Sequence, residues 1–278
     1  MNIKINLLTT ALGDTIGAVC QVDRYQKITQ HKIGFFINPN YVILFKNSYP
    51  NIIFNPDNFD FEKEINLTFK FDRPLQKSFS DDLNLDYLEL NTNIDQHVHQ
   101  RNIKQKYFTI SVHSTHQARY WNNKNGWSLL LKYLKNKYKL SAVCVDKYEI
   151  FGGKNYMNQI PKEAINRCGI NLKDCINYMH HAEFHIGTSN GLSWLAHGLN
   201  KKVILITNVT KKWCEFTNNV LRIDNENVCH GCLNEEKFDP SNWSWCPRDK
   251  NFECTKEITF EMIKNKIDQC MSELKINS

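Results

Sequence analysis

Short β-branched runs alternate with amphipathic helical stripes along this chain, and they do so in two separate series. The first opens with a strand at Ile3–Leu8, turns at Gly13, and continues into a helix expected from about Asp14 to Ile28. Strand-like runs follow at "KIGFFIN", "YVILF", "NIIF" and "INLTF". The second series opens at "FTISV" (Phe108 to Val112) and enters a helical stripe of Trp127, Leu130, Leu131 and Leu134. Strands at "SAVCV", "FHIG", "VILI" and "VLRI" complete it, with Leu192, Leu195, Ala196 and Leu199 forming another stripe. Such alternation folds as right-handed βαβ units around a parallel sheet. The expected class is α/β, with two Rossmann-like domains facing a cleft. We place them at residues 1–105, including the polar Asn/Asp-rich linker Pro74–Gln105 with its one short helix, and 106–278. The second ends in a helix capped by Thr259, whose Ile263, Ile267, Cys270 and Met271 share a core-facing side.

Of the 278 residues, 41% are hydrophobic and 23% charged, which excludes a disordered chain. The longest wholly apolar run, Tyr41–Phe45, is about five residues against the roughly 20 a spanning helix needs, so no membrane span is expected. Asp14 interrupts the N-terminal apolar tract, which is too short and polar for a signal peptide, and a cytoplasmic protein is expected. In that reducing setting its ten cysteines favour metal binding over bridges. The net charge of +6 is uneven: residues 1–105 hold 11 basic and 12 acidic side chains, the remainder 24 and 17. A positive half suits an anionic ligand such as a nucleotide diphosphate, and nucleic acid is not an expected partner.

The strongest local pattern is "VCHGCLNEEKFDPSNWSWCPRDKNFECT". Cys229 and Cys232 form a CxxC pair, Cys246 follows after 13 residues and Cys254 after seven more. Four such thiolates satisfy a tetrahedral zinc or iron, and a polar loop with little apolar content would draw its folding energy from that metal. The alternative is four structural cysteines. This finger, 227–257, carries four basic and six acidic residues, which makes it a poor reader of nucleic acid.

Three strand-end turns carry further candidates. In "GTSNGLSWLAHGL" the small residues Ser189, Asn190 and Gly191 leave backbone N–H groups at a helix N-terminus, an anion site by geometry, or else an ordinary polar turn. In "SVHSTHQARYWNNKNGW" Ser114, Thr115 and Gln117 offer hydrogen bonds, and Arg119 is a permanent cation able to clamp phosphate. His113, His116, Trp121 and Trp127 read as structural. In "ALGDT" Asp14 stands where α/β folds bind their ligands, either as a general base or as a helix N-cap.

In this order the pieces resemble the bacterial autotransporter heptosyltransferases, metal-finger relatives of the lipopolysaccharide heptosyltransferases. The match runs from "LGDT" through "PLQK", "QARYWNNKNGW", "GTSNGLSWLA" and "EF" (Glu215, Phe216) to "WCPR" and "FECT", nearly the whole chain. The resemblance implies a GT-B architecture and transfer of heptose from ADP-heptose to serine hydroxyls of an autotransporter adhesin, in the cytoplasm. It implies Asp14 as base, and Thr115, Gln117, Arg119, Ser189, Asn190, Gly191 and Glu215 as donor-binding residues. It also implies an iron ion in the finger, with zinc as the alternative, and a homo-oligomer. Full-length relatives carry an additional N-terminal β-rich domain, whereas this chain starts almost at its first strand. Arg119 replaces the family's usual Lys, and Thr188 and Asn190 differ from its usual small residues. Other readings are a different nucleotide-sugar or a lipopolysaccharide-type acceptor, and a non-catalytic nucleotide-sugar-binding protein of the same fold.

Overall fold

The structure, a computed structural model, describes residues 1–153 and 155–274. The chain divides into two compact units, residues 1–96 with 213–216, and residues 97–212 with 217–278.

The first unit is built on β1 (Asn2–Leu7), β2 (Lys32–Phe36), β3 (Ile52–Phe54) and β4 (Lys63–Leu67), all parallel in the order β3-β2-β1-β4. Ile3, Ile5 and Leu7 alternate inward along β1, meeting the period-2 geometry of a strand with a buried face. Helices α1 (Leu12–Thr29) and α2 (Leu75–Asp82) pack against each other, and Ile16, Val19, Val22, Leu75 and Phe79 are buried. The chain leaves β1 toward β2 and β3, then returns to pair β4 on β1's other side. The order therefore reverses beside β1.

Two expectations need correction here. "YVILF" is not a strand but part of a 3₁₀ helix, Pro39–Leu44. Pro39 presets a helical φ at the first position and the Asn38 side chain accepts the Asn40 N–H, so local capping overrides the β-branched run. The stretch read as a linker contains α2 as its one helix, but as far as residue 96 it is packed. Leu83 and Ile94 are buried, and the Asp95 carboxylate accepts the Asn47 and Ser48 N–H groups at 2.9 and 2.7 Å.

The second unit holds a six-stranded parallel sheet, β12-β11-β10-β5-β6-β9. Its strands are β5 (Tyr107–Ser111), β6 (Ser141–Cys144), β9 (Ile165–Asn166), β10 (His185–Gly187), β11 (Val203–Ile206) and β12 (Val220–Ile223). A separate antiparallel hairpin joins β7 (Ile150–Gly153) to β8 (Tyr156–Gln159). The helices are α3 (Gly126–Tyr138), α4 (Leu172–His181), α5 (Gly191–Gly198), the one-turn α6 (Cys232–Glu235) and α7 (Glu253–Lys256), and α8 (Phe260–Glu273). Phe108, Ile110, Ile186, Ile204 and Ile206 form a core with Leu130, Leu131 and Leu134 of α3 and Ile263, Ile267 and Met271 of α8. Thr259 caps α8 by accepting the Met262 N–H, as its sequence position suggests. Strand order reverses between β5 and β10, the place where parallel α/β sheets open a crevice beyond their strand ends.

Candidate active site

The loops after β5 and β10 meet at that reversal. Asn190 is their hub. Its Oδ1 accepts the Ser193 N–H at 3.0 Å, capping α5, while its Nδ2 donates to the Ser111 hydroxyl at 3.1 Å and to the His113 carbonyl at 3.0 Å. Ser111 Oγ also lies 3.0 Å from Nε2 of His185, whose Nδ1 meets the Thr109 hydroxyl at 3.0 Å. Burial pulls His185 down to about 3, so this imidazole is neutral. Gly187 is obligatory in this knot: a Cβ there would stand 2.3 Å from Ser193 Oγ and 2.7 Å from Ser111 Oγ.

Asp146, which the sequence reading passed over, fastens the β5 loop from the next strand. Its carboxylate accepts the Val112 N–H at 2.7 Å and the His113 N–H at 3.3 Å, and the Cys144 thiol donates to it at 3.3 Å. Full burial pushes its pKa up to about 6 against the lowering effect of those donors. An Asp directly after the run "SAVCV" was the available signal.

The structure brings Arg119 and Ser189 together. Arg119 Nη1 donates to the Ser189 carbonyl at 3.3 Å, and its buried Nε has no protein partner. Thr115 is exposed beside it in sequence, and Ser114 is buried. Gln117 serves the protein: its amide donates to Asn122 Oδ1 at 2.6 Å and accepts from Asn158 Nδ2 at 2.8 Å. His116 is 2% exposed, and burial together with the Arg119 charge pulls it down to about 2, so it too is neutral.

In the first unit Asp14 is half-buried in the first turn of α1, directly beyond β1. It is not the cap. Ala11 holds that position and offers no side-chain hydrogen bond. Glu215 is buried and belongs to residues 213–216, which cluster with this unit and not with the second, where the sequence reading had placed it. The Leu75 N–H donates to the Cys214 carbonyl at 3.1 Å and ties that segment to α2.

The finger's knuckle turns at Gly231, φ +73°, with the Lys211 side chain packed where a Cβ would stand. Gly231 N–H donates to the Asn208 carbonyl at 2.8 Å, and Asn208 Nδ2 to the Cys254 carbonyl at 3.0 Å, so CxxC and the last cysteine hang from one residue. Burial pushes Cys232 and Cys254 up to about 12, and Cys229 and Cys246 add electrostatically to both. Four soft thiols are a donor set suited by its chemistry to iron or zinc. The expected shell is nevertheless not seen, since among the described residues no three Cys, His, Asp or Glu side chains are arranged to hold a metal ion.

No protein-family model matches the chain. Individual relatives do. The chain is 30% identical to the autotransporter heptosyltransferase TibC of Escherichia coli O78:H11 over 297 residues, 98% of this chain and 72% of TibC. This chain belongs to the autotransporter heptosyltransferase family. It is 29% identical, over 98% of its length and 72% of the relative, to the autotransporter heptosyltransferase BAHTCr of Citrobacter rodentium. A shorter match, 27% identical over 58% of this chain and 39% of the relative, is to BimC of Burkholderia thailandensis, an inactive autotransporter heptosyltransferase. The crystal structure of TibC, an iron-containing dodecameric glycosyltransferase, matches with a TM-score of 0.92 and 28% identity over 98% of this chain and 76% of TibC. TibC has also been crystallised with ADP-D-β-D-heptose, matching at a TM-score of 0.91. The α/β architecture with parallel sheets is thus that of a heptosyltransferase, and the chain is a glycosyltransferase of this family. Among the described residues no helix is long and apolar enough to cross a membrane.

Proposed function

We propose that this heptosyltransferase moves a heptosyl group from ADP-heptose to a serine hydroxyl of an autotransporter adhesin. The observation that carries the reading is Arg119 held at the Ser189–Gly191 turn, where the parallel sheet reverses its order, in a chain whose relative TibC binds this donor. Arg119 supplies positive charge to the diphosphate, and Thr115 and the N–H groups of the turn from Ser189 to Gly191 donate hydrogen bonds to it. Asn190 and Gln117 act by holding those loops, and Glu215 is a further donor contact. Asp14 takes the proton of the serine hydroxyl as that oxygen attacks the anomeric carbon. The bond from that carbon to the diphosphate breaks, and ADP departs with the electron pair.

Cys229, Cys232, Cys246 and Cys254 are the residues that would hold a metal ion, iron by analogy with TibC, and a closed thiolate shell supplies folding energy and no open catalytic position. Elemental analysis of the purified protein separates iron from zinc. The dodecameric state of TibC supports self-association of this chain, which sedimentation velocity measures. The reaction is assigned to the cytoplasm, before export of the acceptor.

The deciding experiment is mass spectrometry of an adhesin co-expressed with this chain and an ADP-heptose supply. One added heptose per modified serine is the expected result. The inactive relative BimC gives the second reading its footing: retained ADP binding without any transfer would identify this chain as a non-catalytic donor-binding member.

A further inference from the structure

The finger touches the donor loop through aromatic side chains that neither the cysteines nor the phosphate-binding groups require. The His116 ring lies 5.0 Å from Phe238 and 5.8 Å, edge-on, from Trp245, and those two rings stand 5.1 Å apart at 85°. Both nitrogens of His116 are buried without a hydrogen-bond partner, so the ring is held by packing alone. One residue on, the Gln117 N–H donates to the Trp243 carbonyl at 3.0 Å. Trp243 is itself anchored: its ring is 5.3 Å from Phe151 and 6.1 Å from Tyr120, and it covers Gly153 so closely that a Cβ there would sit 2.3 Å away.

What these contacts hold is a single 3₁₀ turn, Gln117–Arg119, with His116 as its N-cap residue and Arg119 as its last. The Arg119 N–H closes it on the His116 carbonyl at 3.1 Å. A lone turn of this kind has too few internal hydrogen bonds to persist by itself. Both residues that open it are gripped by the finger, and the residue that ends it carries the guanidinium.

We propose that Phe238, Trp243 and Trp245 of the finger form an aromatic ledge that sets the position of Arg119, with His116 as the positioning residue through which the ledge acts. The finger then does more than cover the domain: it fixes donor affinity through the loop it grips. The proposal rests on the assignment of Arg119 to the donor diphosphate, and the test keeps the two apart.

Hydrogen exchange of the Gln117 and Arg119 amides in the ligand-free, metal-replete full chain reads the ledge directly, and calorimetric titration with ADP reads the donor. In His116→Ala, amide protection is expected to fall and the ADP dissociation constant and donor KM to rise, each about tenfold, with kcat within about twofold, the scale of one or two aromatic contacts. Metal content should stay at the wild-type level. His116→Phe, which keeps a ring and removes the nitrogens, should restore protection and affinity to within about threefold. Phe238→Ala, on the half-buried side of the ledge, should shift both in the same direction by less, and it keeps the test open should His116→Ala fail to fold. Unchanged amide protection in both alanine variants overturns the proposal, as does a His116→Phe protein no better than His116→Ala. A wild-type protein that binds no ADP yet shows the expected exchange pattern removes the donor assignment and leaves the ledge standing.

Discussion

Two strand-to-helix turns, one in each unit, begin from the same geometry and use their polar side chains in opposite ways. The turn from β10 into α5 is capped by Asn190, whose amide also binds Ser111 and the His113 carbonyl, so the side chain is occupied by the protein. The turn from β1 into α1 has an alanine at the cap and keeps its acid within the first helical turn, at Asp14. A helix N-terminus can therefore present fixed N–H groups, as at Asn190, or a carboxylate within its first turn, as at Asp14. The first arrangement suits a leaving diphosphate and the second a proton acceptor.

The sharpest way to break this contrast is Asp14→Asn. Turnover should fall by roughly 10²–10⁴, the usual contribution of a positioned base. The melting temperature should change far less than turnover, because the cap position belongs to Ala11 and the substitution removes only a first-turn charge, a change of about 0.3–1 kcal/mol. A wild-type rate, counted as heptosylated acceptor by mass spectrometry, would put the base elsewhere. Arg119→Ala probes the binding turn: ADP affinity should weaken by about 1.5–3 kcal/mol in calorimetry, with Arg119→Lys recovering part of it, since the charge returns without the planar fork.

Asp146 adds a pH dependence to the second unit. Its folded pKa of about 6 lies above the ordinary value of 3.8, so the native state holds this proton longer than the unfolded chain does. The associated stability is complete below about pH 4 and is lost as pH rises through about 6, an amount on the order of 3 kcal/mol. Denaturant midpoints of Asp146→Asn should therefore improve relative to wild type between pH 4 and 7. A difference that stays flat across that range would place the carboxylate in a more solvated setting. The smallest expected effect is at the uncapped turn: Ala11→Ser should stabilise the first unit by about 0.5–1 kcal/mol, because Ala11 is exposed and already has the extended backbone a cap requires. No gain in thermal melting would mean that the turn's ends are satisfied in another way.

Much of this site is legible in the chain because its pieces are short and contiguous. "FTISV" and "FHIG" announce β5 and β10, and "TSNG" places a capping residue directly before a helical stripe. The features that escape reading depend on partners distant in sequence. Asp146 is 34 residues from the Val112 amide it holds, and the cage around His116 is assembled from residues 238 and 245. Helix α4 had a signal, Asn171 accepting the Asp174 N–H ahead of the buried Cys175, Ile176 and Met179, but its stripe is short. At Tyr41–Phe45 the β-branched residues argued for a strand and the preceding Asn-Pro cap prevailed.

Residues 213–216 give the molecule an order of assembly. Cys214 and Phe216 are 5% and 3% exposed, and the Cys214 carbonyl receives the Leu75 N–H, so the first unit is finished by a piece of chain encoded far downstream of it. On a ribosome extending at about 5–20 residues per second, residues 97–212 must all be made before that piece arrives, a wait on the order of ten seconds. Throughout it the nascent first unit carries an open seam along α2. An N-terminal fragment ending near residue 96 lacks that piece for good, so a gene cut between the two sheets separates the first unit from four of its own residues.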